Sequence, residues 1–224
     1  DMPEIYALSQ QYGFKIIEDA SHAIGGSYAN IKVGSCTHSD ITVFSFHPVK
    51  IITTSEGGIA LTNNRELADR MLRLRTHGIT SDKVLMQKRP DNEIWNYQQI
   101  ELGFNYRMTD IQAALGLSQL DRLEEFVARR NELANRYDEA LGNFPIKRQM
   151  VPENVYSAKH LYVIRVPSKL HLKLFENLRR EKIGVNLHYM PIHLQPYYRN
   201  LGFQLGSFPE SEAYGQEAIS LPLY

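Results

Sequence analysis

The sequence holds a single cysteine, Cys36, in 224 residues. That excludes an internal disulfide. It also fits a reducing compartment, so a cytoplasmic location is expected. Neither sign of charge is in excess, since Lys plus Arg and Asp plus Glu come to 25 each. A partner held by bulk electrostatics, nucleic acid above all, is therefore not supported. The local cluster Arg70, Arg73 and Arg75 reads more simply as a solvated helix face. No apolar run approaches the ~20 residues of a membrane span. No signal peptide is evident, nor any internal repeat or low-complexity segment. The glycine-rich phosphate loops GxxxxGK(S/T) and GxGxxG are missing too, which removes two common nucleotide-binding signatures. No metal is expected.

What is present is a globular composition, 43% apolar and 22% charged, long enough for one large domain or one and a half ordinary ones. Residues 3–12 carry Ile5, Leu8 and Tyr12 at helical spacing, with Gly13 placed to end the helix. "FKIIED" at 14–19 then reads as a strand closed by two acids, followed by a loop of 20 residues. "DITVFSFH" (40–47) and "GGIALTNN" (57–64) are two further strands, and "RELADRMLRLRTHG" is an amphipathic helix stopped by Gly78. Helix, glycine, apolar strand and acid in succession predict an α/β fold with a mostly parallel sheet. Residues 79–107 form a long polar loop with Trp95, Tyr97, Phe104 and Tyr106 set among charges. From Thr109, a plausible N-cap, the helix signal restarts and runs too long for one helix, so a break is expected over 118–121. After Gly142 come a strand in "HLYVIRVP", a helix in "KLHLKLFENLRREKIG", a strand in "VNLHYMP" and a last strand-like stretch in "AISLPLY". The chain opens with a helix already under way and stops on an apolar stretch, so it is expected to be a piece of a longer protein.

One lysine draws attention. In "SFHPVKIITTSEGG" (45–58), Lys50 lies between Val49 and the pair Ile51–Ile52. Burying an ammonium costs several kcal/mol unless it is paired or neutralised. A lysine near the carboxyl ends of α/β strands can serve as a phosphate-binding charge or as a Schiff-base nucleophile. Sites in such sheets lie at those strand ends, where Asp19 and Ser45 also fall.

Asp19, His22 three residues on, Ser45, and Lys50 five after the serine make a more specific pattern. With "IIEDASHAIGGSY", "KVGS", "LRTHGI", "ELGFNYRMTDIQAALGLSQL", "VNLHYMPIHLQPYYR" and "AISLPLY" in order along nearly the whole chain, it resembles the sugar aminotransferases of the DegT/DnrJ/EryC1/StrS family. The resemblance implies the PLP-dependent transferase fold of aspartate aminotransferase type I. Residues 1–107 would be the C-terminal part of the large PLP-binding domain, 108–142 connecting helices, and 143–224 a smaller, truncated α+β domain. It implies pyridoxal 5'-phosphate (PLP) as cofactor. Lys50 would then be the Schiff-base lysine and proton shuttle, Asp19 the partner of the pyridine nitrogen, and His22 a contact to the ring. Ser45 would donate to the phosphate, and Asn105 would reach that phosphate across a homodimer interface. His188, Tyr189, Met190 and Pro191 would contact a nucleotide-sugar, commonly from the partner subunit. Arg107 could meet a phosphate or a neighbouring acid and stays outside the expected site. The expected reaction moves an amino group, with L-glutamate as donor, to a nucleotide-linked 4-keto-6-deoxy sugar of the pseudaminic-acid type. Another nucleotide-sugar 3- or 4-aminotransferase, or a non-catalytic member of the fold, is the alternative. Sugar dehydratases on the same scaffold resemble the chain too, but they carry histidine in place of the lysine. Family members also carry, before this stretch, a Gly/Ser/Thr phosphate-binding segment and an aromatic that stacks on the ring; neither is in this sequence.

Overall fold

The computed structural model describes every residue except Arg89, Asp91 and Tyr224. It forms two compact units, Asp1–Leu123 and Glu124–Tyr224.

The first unit opens with α1 (Met2–Tyr12), capped by the Asp1 side chain and closed by Gly13 at φ 74°. That left-handed angle is one glycine adopts without penalty. Strand β1 (Ile17–Asp19) follows. The segment after it, expected to be irregular, contains a hairpin of β2 (Ser27–Tyr28) and β3 (Ile31–Lys32). Its turn is Ala29–Asn30, both at positive φ. This is the turn geometry that best matches strand twist, built without the Asn-Gly or Asp-Gly that usually announces it. Strands β4 (Ile41–Ser45) and β5 (Gly58–Leu61) complete a sheet in the order β1-β4-β5. β1 and β4 run parallel, whereas β4 and β5 are antiparallel. The Lys50 segment is thus the connection between two adjacent antiparallel strands.

Helix α2 (Arg65–Leu74) starts on Asn64, whose side chain accepts from the N–H groups of Glu66 and Leu67. It ends four residues before Gly78, not at it. Gly78, at φ 71°, lies so close to the Glu101 carbonyl that no β-carbon fits there. The polar stretch that follows carries a two-stranded ladder, β6 (Ile79–Thr80) with β7 (Gln98–Gln99). Thr109 is the N-cap of α3 (Asp110–Leu120), in a reciprocal capping box with Gln112. The expected break falls at residues 121–122, before α4 (Leu123–Ala140).

In the second unit α4 is followed by β8 (Lys147–Arg148), β9 (Val155–Tyr156) and β10 (Tyr162–Arg165). Then come α5 (Ser168–Arg180), a 3-10 turn at Ile192–Leu194, α6 (Pro196–Asn200), α7 (Pro209–Glu217) and β11 (Ala218–Leu221). The sheet order is β11-β10-β8, all antiparallel. Ala134, Tyr162, Ile164, Val166, Val185, Ile219 and Leu223 form its core, with Leu174, Phe175 and Leu178 of α5 packed against them. The expected strand in "VNLHYMP" is not formed. Asn186 pairs with Ser220 across a single bridge, and the next N–H, of Leu187, is taken at 2.9 Å by the Asn186 side chain. A side chain that captures the neighbouring N–H stops the ladder there.

Candidate active site

The register of β1 and β4 places the candidate residues. Asp19 is opposite Val43. Partners in a parallel pair share a face, and residues two apart along a strand share a face, so Asp19, Val43 and Ser45 lie on one side of the sheet. Across β5 that side continues through Ala60 and Gly58, both small and exposed. The other side carries Thr42 and Phe44, both buried, and there Thr42 Oγ1 donates to Glu18 Oε2 at 3.0 Å. One face of the sheet is therefore closed by packing. The other is open, floored by small residues, and bears a carboxylate and a hydroxyl at its carboxyl edge. Gly58 has to be small, because a β-carbon there would lie 2.7 Å from the Phe44 carbonyl oxygen.

Asp19 is held from its own chain. Ser21 donates to Asp19 Oδ1 from its N–H at 3.1 Å and from its hydroxyl at 2.5 Å, an Asx-turn arrangement. These bonds, then the nearby charges of His22 and Lys50, hold the carboxyl below its ordinary range. Both Ser21 donors sit on Oδ1. An ionised carboxylate anchored by Ser21 through one oxygen is the acceptor that a protonated pyridine nitrogen requires, so the site fits that part of PLP.

Lys50 closes a tight turn, with its N–H bonded to the His47 carbonyl at 2.9 Å. The neighbours that made it look misplaced divide into two classes. Ile51 and Ile52 are buried and anchor the turn, whereas Val49 is 62% exposed. Lys50 itself is half-buried. Burial pushes its amine below the ordinary lysine value, and Asp19 opposes that shift. An amine so displaced is more readily neutral, which is the form that attacks a carbonyl.

The return of the turn to β5 is built by Thr53 and Thr54. Thr53 Oγ1 and Thr54 N both bond the Phe46 carbonyl at 3.0 Å, and Thr54 Oγ1 donates to the Glu56 carbonyl at 2.7 Å. Helix α3 braces this return. Gln112 Nε2 donates to the same Glu56 carbonyl at 3.1 Å, and a β-carbon on Gly116 would meet Thr54 Cγ2 at 2.7 Å. Ser21, Thr54, Gln112 and Gly116 were not among the residues expected from the sequence. Only Ser21 carried a local signal, as a serine two residues after an aspartate.

The remaining expected residues are placed as follows. His22 is exposed, close enough to Asp19 for its charge to act on it. Ser45 is half-buried, and its Oγ accepts from the His47 N–H at 3.5 Å. Asn105 is exposed on the strand-like segment that bridges Thr76, and its Oδ1 accepts from Arg107 at 3.0 Å. Asp19, His22 and Lys50 are thus brought together with Ser45 on the same sheet edge, and Asn105 stands on a separate strap of the same unit. His188, Tyr189, Met190 and Pro191 belong to the second unit. There His188 Nδ1 is 2.7 Å from Ser220 Oγ, Tyr189 and Met190 are exposed, and Pro191 is buried.

A model of the DegT/DnrJ/EryC1/StrS aminotransferase family matches residues 1–224. The chain belongs to this family. Among curated family relatives, the UDP-4-amino-4,6-dideoxy-N-acetyl-beta-L-altrosamine transaminase of Campylobacter jejuni is 38% identical over 205 residues, which are 90% of this chain and 51% of the relative. Among solved structures, Helicobacter pylori PseC, an aminotransferase involved in the biosynthesis of pseudoaminic acid, superposes with a TM-score of 0.85 at 32% identity, covering 99% of this chain and 57% of that one. The PLP-form of a sugar aminotransferase, Spr1654 of Streptococcus pneumoniae, superposes with a TM-score of 0.83 at 32% identity, covering 97% and 55%. The fold is that of the aspartate aminotransferase-like enzymes, mixed α/β as expected. The chain spans 58% or less of the length of the curated relatives it matches.

Proposed function

We propose that the complete protein is a PLP-dependent aminotransferase that moves an amino group from L-glutamate to a nucleotide-linked 4-keto-6-deoxy sugar, of the kind used in surface-glycan synthesis. The observation that carries this is that the register of β1 and β4 sets Asp19 and Ser45 on one face at the sheet edge, with Lys50 near enough to Asp19 for each charge to act on the other. PLP, when bound, supplies an electron sink that eases loss of a proton from the carbon bearing the nitrogen.

The chain's own residues have separate tasks. Lys50 would hold the cofactor through Nζ, and its amine, in the neutral form, would carry the proton to and from the substrate carbon. Asp19, kept ionised by Ser21, would hold a proton on the pyridine nitrogen through its carboxylate. Ser45 would donate a hydrogen bond from its hydroxyl to the phosphate, and His22 would contact the ring. Lys50 is also the residue that separates this proposal from a sugar dehydratase.

We place the protein in a homodimer whose partner supplies Asn105 to the phosphate and the segment His188, Tyr189, Met190 and Pro191 to the nucleotide-sugar. The wide exposure of Trp95, Leu102, Tyr106 and Ile111 supports such a second copy. No helix among the described residues is long and apolar enough to cross a membrane.

The test is direct. The complete protein, purified and supplied with PLP, should develop a near-visible absorbance band that borohydride abolishes while fixing the cofactor to Lys50, and should aminate UDP-, GDP- or dTDP-linked keto-sugars from L-glutamate. Amination that survives Lys50→Ala would overturn the proposal.

A further inference from the structure

The proposed chemistry leaves one buried ionisable pair unused. His193 and Glu212 are both buried, and His193 Nε2 lies 2.8 Å from Glu212 Oε1. The same oxygen accepts from the Gly206 N–H at 2.7 Å and from the Phe208 N–H at 3.5 Å. The Phe208 ring stands edge-on to His193 with centroids 4.9 Å apart. One carboxylate oxygen therefore ties the 3-10 turn at Ile192–Leu194 to the loop that leads into α7.

Gly215 lies one helical turn beyond Glu212, on the same face of α7. A β-carbon there would meet Pro191 Cδ at 2.7 Å, so Pro191 packs directly onto the helix. The two contacts seat Pro191 and His193 on one face of α7. On the other flank, Asn186 exchanges backbone hydrogen bonds with Ser220 at 2.8 and 3.2 Å, and His188 reaches Ser220 Oγ. Between these mounts Tyr189 and Met190 are 65% and 49% exposed. An exposed aromatic on a segment fixed at both ends is a preorganised contact surface.

A buried carboxylate held by hydrogen bonds is a poor way to add stability, since apolar side chains of the same volume often do as well or better. What it adds is a single allowed register, because a shift would strand a carboxylate without donors. We infer that Glu212 and His193 are positioning residues for substrate recognition, which fix the segment bearing Tyr189 and Met190 against α7 so that it meets a nucleotide-sugar in one geometry. This rests on the proposal that this segment contacts the nucleotide-sugar.

The test compares variants of the complete protein loaded with PLP. Glu212→Leu should keep the cofactor band and raise KM for the keto-sugar nucleotide about tenfold, with kcat within about twofold and KM for L-glutamate unchanged. Glu212→Gln, whose amide oxygen still accepts, should recover most of that loss. Should Glu212→Leu not fold, His193→Gln and Glu212→Gln are read by calorimetric titration with UDP, where His193→Gln should bind about threefold or more weakly than the parent. Unchanged KM and UDP affinity across these variants, or equal losses for both substrates, would overturn the inference. Tyr189→Ala separates the two levels. If it leaves KM and UDP affinity unchanged, the segment does not meet the substrate and the functional proposal fails at that point. If it weakens both while the Glu212 and His193 variants do not, the positioning inference alone fails.

Discussion

Ser21 folds back onto Asp19, giving one carboxylate oxygen two donors from a residue only two positions away. The carboxyl is held below its ordinary value, with the Ser21 side-chain bond the largest cause. A folded pKa below the unfolded one gives stability that is fully present above the unfolded value near 4 and is lost as pH falls through the folded one. Ser21→Ala should raise the Asp19 midpoint, read by carboxyl-carbon NMR titration. The stability difference between parent and variant should be present at neutral pH and vanish once both carboxyls are protonated. A midpoint unmoved by Ser21→Ala would mean that the turn does not tune Asp19.

Lys50 shifts in the same direction for the opposite reason: burial disfavours its charge. At any pH below the ordinary lysine range it therefore has a larger neutral fraction than a lysine at its ordinary value. In the cofactor-free protein at pH about 8, a small acylating reagent should therefore modify Lys50 early, as mass spectrometry of peptides will show. Asp19 opposes the shift, so Asp19→Asn should lower the Lys50 pKa further and speed its modification. Slower modification in that variant would show that Asp19 does not act on the amine.

The turn around Lys50 also makes a packing prediction. Gly116 of α3 sits against Thr54 Cγ2 with no room for a β-carbon. Gly116→Ala should therefore destabilise the protein by about 1–3 kcal/mol through overpacking, despite alanine's better helix propensity. Thr54→Ser removes that methyl group and keeps the hydroxyl that bonds the Glu56 carbonyl. The double variant should recover much of the loss in denaturant unfolding. Additive effects of the two substitutions would rule out the contact as the cause.

Local chemistry was legible in the sequence where it acts over a few residues. The Gly13 stop and the Thr109 cap were each signalled by a residue type with a strong conformational preference, and the interruption before α4 by a helical run too long for one helix. The hairpin at Ala29–Asn30 was not, because Ala29 is a poor turn former and Asn30 has no glycine beside it, so its geometry shows only in the positive φ angles. The strand expected in "VNLHYMP" failed for a similar reason: Asn186 had an apolar pattern around it, but its side chain competes with the ladder. At the site, Lys50 stood out as a charge among isoleucines. The supports around it did not, since Gln112 reaches Glu56 across 56 positions of sequence, and contacts of that kind leave no periodic trace.

The strap that carries Asn105 gives the last prediction. Leu102 is 89% exposed and Ile111 84%, and Phe104 and Tyr106 stack on each other with centroids 4.8 Å apart. Large apolar side chains gathered on one exposed segment mark a contact surface. In the complete protein this surface should bury against a second copy, bringing Asn105 to the partner's phosphate site. Leu102→Glu with Ile111→Glu places two carboxylates in that contact and should shift the protein from dimer to monomer in sedimentation equilibrium. PLP affinity should fall with it, although neither residue belongs to the cofactor set. Asn105→Ala should instead leave the dimer intact and weaken PLP binding, by about 1–3 kcal/mol for a lost hydrogen bond to a charged group. A monomer that retains full PLP affinity would show that the site is complete within one chain.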